Sequence, residues 1–314
     1  MVLSHAKNLM NLPPILIVIL FFAFTGIAAE HPNATKQHPE VGKQPAPPAI
    51  MEDNATFEKL ADGFKFTEGP AVSLDGKIYF NDIPNARTHV FDPKTLETRV
   101  FREETGRANG LFFTPEGGLL ACEGGNRRVT LTGADGIIRV AADTYKGGKL
   151  NSPNDVVIDK HGGFYFTDPR YGKDGGDLEQ DVMAVYYVNK KGDISQIASD
   201  LTKPNGIILS PRQDTLYVAD PGVETIWAYR VKGPGKLGPK RKFADVGSDG
   251  MTIDSGGNIY VTWTDIIVFA PSGKELARFT PPEKPANCLL VGNELYVTAR
   301  TGFYRIKLQT FGIQ

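Results

Sequence analysis

A chain of 314 residues with 35 basic and 36 acidic side chains is close to neutral, which excludes a charge-driven partner such as nucleic acid or an acidic membrane surface. With 34 glycines, 22 prolines and 41% hydrophobic residues it is a turn-rich globular chain, not a disordered one. Its two cysteines, Cys122 and Cys288, cannot make a disulfide framework; each sits beside a strand pattern and is expected to be a buried free thiol.

The first element in chain order is an apolar run. "ILIVILFFAFTGIAA", Ile15 to Ala29, follows a polar start, and Gly26, Ala28 and Ala29 are small residues ahead of Glu30. This is the layout of a secretory signal occupying residues 1–29. The rival reading is an uncleaved anchor, but the run falls short of the roughly 20 residues that a spanning helix needs. A secreted or periplasmic location is therefore expected. Residues 30–52, rich in proline and polar residues and without periodicity, read as a flexible linker, and 53–314 as one domain.

From Phe57 onward one unit recurs: a turn, a short strand rich in Tyr, Phe and Val, then a second strand. Its copies include "LDGKIYFNDIPNARTHVFDP", "PEGGLLACEGGNRRVTLTGADG", "KHGGFYFTDPRYG", "RQDTLYVADPGVETIWAYRVKG", "SGGNIYVTWTDIIVFAPSG" and "VGNELYVTARTGFYRIKL". Turns anchored at Gly76, Gly117, Gly162, Asp214, Gly256 and Gly292 recur about every 40 to 50 residues, the spacing of a β-propeller built from four-stranded blades. The expectation is all-β, a six-bladed propeller. "TFEKLADGFKF" precedes the first copy and is expected to lend a strand to the last blade, removing the open edge.

Loops entering the first strand of each blade converge on one mouth, so polar residues there can meet although distant in sequence. Glu68 in "FTEGPAV", Asn154 in "NSPNDVV", Asn205 in "KPNGIIL" and Asp249 in "GSDGMTI" hold equivalent places ahead of their turns, and Asn109 in "GRANGLF" is in phase with Asn205. Asn-Gly and Asp-Gly alone are turn signals. Recurrence at one phase around a ring is not explained by turns, and two carboxylates with amide oxygens form an all-oxygen site suited to a hard cation, Ca²⁺ first, with Zn²⁺, Mn²⁺ or Mg²⁺ as alternatives.

Taken in order, "TEGPAVSLDGKIYFNDIPNARTHVFDP", "SPNDVVID", "GGFYFTDPRYG", "KPNGIILSP", "TLYVAD", "SDGMTIDSGGNIYVT" and "LYVTARTGFYRI" resemble the motifs of the regucalcin/gluconolactonase (senescence-marker-protein) family from about Phe66 to Ile306. The resemblance implies a six-bladed propeller with a divalent metal in its central channel, lactone hydrolysis, and metal ligands at Glu68, Asn205 and Asp249. Asn154 is implied as a fourth ligand or a substrate contact. Some relatives carry a His where Gly124 stands and an Arg where Ser152 stands, so the pocket is expected to be wider at Gly124 and recognition of an anionic or sugar group to differ; Asn109 and Arg127 remain as substrate contacts.

The chemistry expected is metal-assisted hydrolysis of a cyclic ester, with Asp249 as the first candidate general base and Glu68 as the second. No G-x-S-x-G elbow offers a serine nucleophile, and His89 and His161 are expected to be exposed turn or strand residues. The partner is a small lactone, acted on by a monomer with no nucleic acid and no membrane once the signal is removed. A related hydrolase of other esters or phosphotriesters would use the same site. From a different class comes an exported ligand-binding propeller with a structural cation.

Overall fold

The computed structural model describes residues 49–171 and 179–313. The signal segment 1–29 and the linker up to residue 48 lie outside the described residues. Ile50 is buried, and Gln309 donates its amide N–H to the Ile50 carbonyl at 2.9 Å, so the packed chain is already under way before position 53.

The described chain forms six four-stranded antiparallel sheets and one two-stranded ribbon, Thr144–Tyr145 with Gly148–Lys149. The first strands of the sheets are Thr67–Val72, Ala108–Phe113, Val156–Ile158, Ile207–Leu209, Met251–Ile253 and Pro285–Val291. Each touches the next, and the last returns to the first, which closes the ring of a six-bladed β-propeller. Five sheets use consecutive strands. The sixth takes its outermost strand, Glu58–Asp62, from ahead of the first blade and pairs it antiparallel with Gly302–Lys307. The strand expected to close the ring does so.

Second and third strands such as "FYFTD", "AVYYV" and "IYVT" are buried on both faces, and their β-branched and aromatic residues pack blade against blade. The apolar core is accordingly divided into clusters at the blade seams. At the seam between blades 1 and 6, Phe80 stacks on Phe303 at 4.4 Å between ring centres, and Phe303 on Tyr296 at 5.9 Å. His89 belongs to the same seam. It is 8% exposed, stacked on Phe80 at 5.5 Å and edge-on to Phe64 at 4.8 Å, and its burial lowers its pKa. The expectation of an exposed His89 fails because a half-apolar imidazole fits between two phenyl rings; His161 is exposed, as expected. Cys122 and Cys288 are buried free thiols.

The turn between first and second strands needs one left-handed residue. Gly76 supplies it in blade 1 at φ +82°, but in blade 4 Gln213 adopts φ +58°, which is why that copy lacks the glycine of the others.

Candidate active site

In three blades the residue just ahead of the first strand is held by one pattern. Asn154, Asn205 and Asp249 donate their amide N–H to the carbonyls of Thr167, Ala219 and Thr262 at 2.9, 2.9 and 2.8 Å. The amides of those three partners donate back to the carbonyls of Asp155, Gly206 and Gly250. Sequence phase thus becomes spatial equivalence, and the three side chains start from the same depth. Glu68 enters from blade 1, paired in register with Asn81. Asn109 enters from blade 2 and accepts the Asn81 side-chain amide on its carbonyl.

Glu68, Asn205 and Asp249 come together. Asn205 donates from Nδ2 to Oδ1 of Asp249 at 2.7 Å and to the Tyr171 hydroxyl at 2.8 Å. Its amide oxygen is left without a hydrogen bond among the described residues. Asn154, 7% exposed, likewise makes no side-chain hydrogen bond among them. Glu68 is 2% exposed and accepts the Gly69 amide at 2.9 Å. Its carboxyl is pushed far up, first by burial and next by the Asp249 carboxylate. Asp249 is raised too, first by burial, while Asn205, Lys284, Arg300 and Lys203 pull it back.

One layer deeper, blades 1, 2, 4 and 5 place Gly69, Gly110, Gly206 and Gly250, whereas blades 3 and 6 place Asp155 and Asn287. The glycines are a steric requirement. A Cβ at Gly69 would lie 1.9 Å from the Asn109 carbonyl oxygen, one at Gly110 would lie 2.5 Å from Oδ1 of Asp155, and one at Gly250 would lie 2.0 Å from Cγ of Asn287. Asp155 and Asn287 fill the space that the glycines leave. Beneath them remains a void of about 30 Å³, lined by Gly69, Asp155, Met251 and Asn287 among others, room for about one water. The channel is therefore plugged below the site. Burial pushes the Asp155 carboxyl up to about 7, against amide donors at Val156 and Ile207.

These acids have no ion-pair partner among the described residues. Burial raises both carboxyls and the Asp249 carboxylate raises Glu68 further, so the pair holds a charge deficit that a cation would satisfy. No three His, Cys, Asp or Glu side chains among the described residues can hold an ion by themselves. Amide oxygens have to complete the set, and Asn205, bound to Asp249, has its oxygen free of a hydrogen bond among the described residues. The residues present fit a hard divalent cation.

Arg127 is not gathered in. Its Nε donates to the Leu150 carbonyl at 2.6 Å and its Nη1 reaches Glu179 at 3.0 Å, so it braces the 143–151 loop, with Nη2 buried and unpartnered among the described residues. The space that Gly124 was expected to open is taken by Ser152, whose hydroxyl lies 2.9 Å from where a Cβ would stand.

Asp155, Asn287, Asn81 and Tyr171 carry weight that the sequence reading missed. So do three acids ending second strands. Asp82 accepts the amides of Lys65 and Phe66, Asp168 those of Asn151 and Ser152, and Asp220 those of Thr202 and Lys203. Each ties down the loop that delivers Glu68, Asn154 or Asn205. The signal was present as "YFND", "YFTD" and "YVAD", an acid at one phase of three repeats.

Comparison with known proteins agrees with the propeller fold and shows the family. The gluconolactonase of Zymomonas mobilis is 29% identical over 303 residues, covering 84% of this chain and 84% of that protein. The diisopropyl-fluorophosphatase of Loligo vulgaris is 26% identical over 269 residues, 74% of this chain and 84% of its own. A solved structure of a gluconolactonase from Xanthomonas campestris superposes with a TM-score of 0.78 at 28% identity, over 84% of this chain and 95% of that one. The family description SMP-30/Gluconolactonase/LRE-like region matches residues 66–301, which contain every site residue named above, and the chain belongs to that family.

Proposed function

We infer that the chain opens a lactone by hydrolysis at the channel mouth, with a divalent cation, Ca²⁺ first, held by Glu68, Asn154, Asn205 and Asp249. The observation that carries this reading is the buried Glu68 carboxyl beside Asp249, both raised by burial and Glu68 raised further by Asp249, with no ion pair to either among the described residues. The relatives named gluconolactonase support the substrate class. When bound, the cation supplies Lewis-acid polarisation and a positive charge for the developing oxyanion.

The protein's own groups do the rest. Asn205 fixes the Asp249 carboxylate by hydrogen bond, aiming a base at the mouth where water and substrate meet. Asp249 takes a proton as water adds to the carbonyl carbon. The ring C–O bond then breaks, and the departing oxygen receives a proton to give an open-chain hydroxy acid. Glu68, deeper and fixed by the Gly69 amide, serves as ligand first and as the alternative base. Asn109 stands at the same ring of positions and contacts substrate hydroxyls. Asp155 and Asn287 close the channel below and exclude bulk water from that side.

The amino-terminal apolar run supports export of the mature domain to the periplasm or beyond. The Loligo vulgaris relative, named for a dialkyl fluorophosphate, favours a second reading, hydrolysis of an organophosphate such as a phosphotriester on the same site. A panel of aldonolactones assayed by acid release, with and without chelator, separates the possibilities. Chelator-sensitive turnover is expected, restored by Ca²⁺. Turnover of a phosphotriester alone would select the second reading, and no chelator-sensitive turnover of either would leave a binding protein.

A further inference from the structure

Three cations border the mouth, and each rests on an aromatic ring. Lys203 Nζ lies 4.0 Å from the centre of the Tyr171 ring, Lys284 Nζ 4.9 Å from that of Trp263, and the Arg300 guanidinium carbon 5.5 Å from that of Phe66. Lys203 and Lys284 lie in the loops entering blades 4 and 6, and Arg300 lies in the turn between Glu294–Ala299 and Gly302–Lys307, at the same end of the channel. All three are close enough to act on Asp249 electrostatically.

None of the three makes an ion pair among the described residues. The nearest acids in sequence are engaged elsewhere. Asp200 pairs with Lys240, Glu294 with Arg305, and Glu283 accepts the Thr301 amide and hydroxyl and the Tyr304 hydroxyl. An aromatic face holds a cation in place without cancelling its charge. A divalent ion bound by Glu68 and Asp249 would neutralise that pair, leaving the mouth positive over a plugged channel. A neutral sugar lactone offers nothing to match such a rim.

We propose that the lactone opened by this chain carries a second, anionic group remote from the reacting carbonyl, a carboxylate or a phosphate, received by Lys203, Lys284 and Arg300. This rests on the hydrolase reading. Lys203 adjoins the Asn205 loop and Arg300 the Thr67 backbone, so the anionic group would lie across the rim between blades 4, 6 and 1.

The test compares kcat/KM for three lactones of one sugar: the neutral aldonolactone, its terminal-carboxylate counterpart and its terminal-phosphate counterpart. At low salt at least one charged lactone is expected to be preferred by about tenfold, with the preference falling as salt screens the rim. The better of the two identifies the group. In a Lys284→Gln/Arg300→Gln variant the preference is expected to collapse. Equal or better use of the neutral lactone, or a preference unchanged in the variant, overturns the proposal. If no lactone is turned over, the hydrolase reading falls and binding decides. Trp263 fluorescence is then titrated with the open-chain di-acid and phospho-acid, with Trp263→Phe assigning the signal. A saturable change lost in the variant sustains the cationic rim as an anion site, and no change overturns it.

Discussion

Asn205 and Asp249 act as one unit, because the amide that fixes the carboxylate leaves only its own oxygen for a cation. Asp249→Ala should therefore lower lactone turnover by more than about a hundredfold, beyond what loss of an outer-shell partner costs, and abolish metal retention; full activity in that variant would sink the mechanism. Glu68 gives a cleaner sign. Its carboxyl is buried and repelled by Asp249, so in chelated protein Glu68→Gln should raise the melting temperature, whereas Ca²⁺ should stabilise the wild type far more than the variant. Thermal melts with and without Ca²⁺ check this, and equal Ca²⁺ shifts would contradict it. Gly69→Ala should destabilise by at least about 2 kcal/mol, since the added carbon meets a backbone oxygen that cannot rotate away. Glu68, Asn154, Asn205 and Asp249 were legible because a polar residue at one phase of a repeat needs a reason beyond turn chemistry. Asp155 and Asn287 were not. In the other four blades the same depth reads as the glycine of an ordinary turn, and only the packed ring shows two side chains sharing the space of four absent ones.

At the scale of strands and loops, the acids closing the second strands hold the site's entry loops. Burial raises the Asp168 carboxyl to about 7 despite the amides of Asn151 and Ser152 and the nearby Arg127 and Arg170. A carboxyl with a folded pKa above its unfolded value of about 4 contributes stability that is complete below about pH 4 and is lost as pH rises through about 7. Metal-free protein should accordingly lose melting temperature between about pH 5 and 8, and Asp168→Asn should flatten that fall; parallel curves for the two proteins would contradict the assignment. The strand Glu58–Asp62 was readable as the closing strand because an all-β ring must hide its last edge. A chain starting at Gly63 should melt lower by roughly 10 °C, and an unchanged melt would show that the ring closes without it. His89 escaped the reading for the opposite reason: nothing local in "NARTHVFD" announces that Phe64 and Phe80 will enclose it.

For the whole molecule, the number of blades, their order and the mouth on which they converge follow from a repeat visible in the sequence. The plug beneath the site and the three cations on aromatic rings follow from packing between blades, which no single repeat contains. The ring brings together groups from five blades, and Glu68 lies on a blade sealed by Phe80, Phe303 and Tyr296 at the closure seam. The proposed site thus depends on closure as well as on its residues, and the cation we infer there is the feature on which the reading depends. Calorimetric titration of chelated protein with Ca²⁺ is the direct measurement: one site per chain in the wild type, lost in Asp249→Ala and in Glu68→Gln, is the result predicted. No binding in the wild type, or equal binding in both variants, would contradict the account.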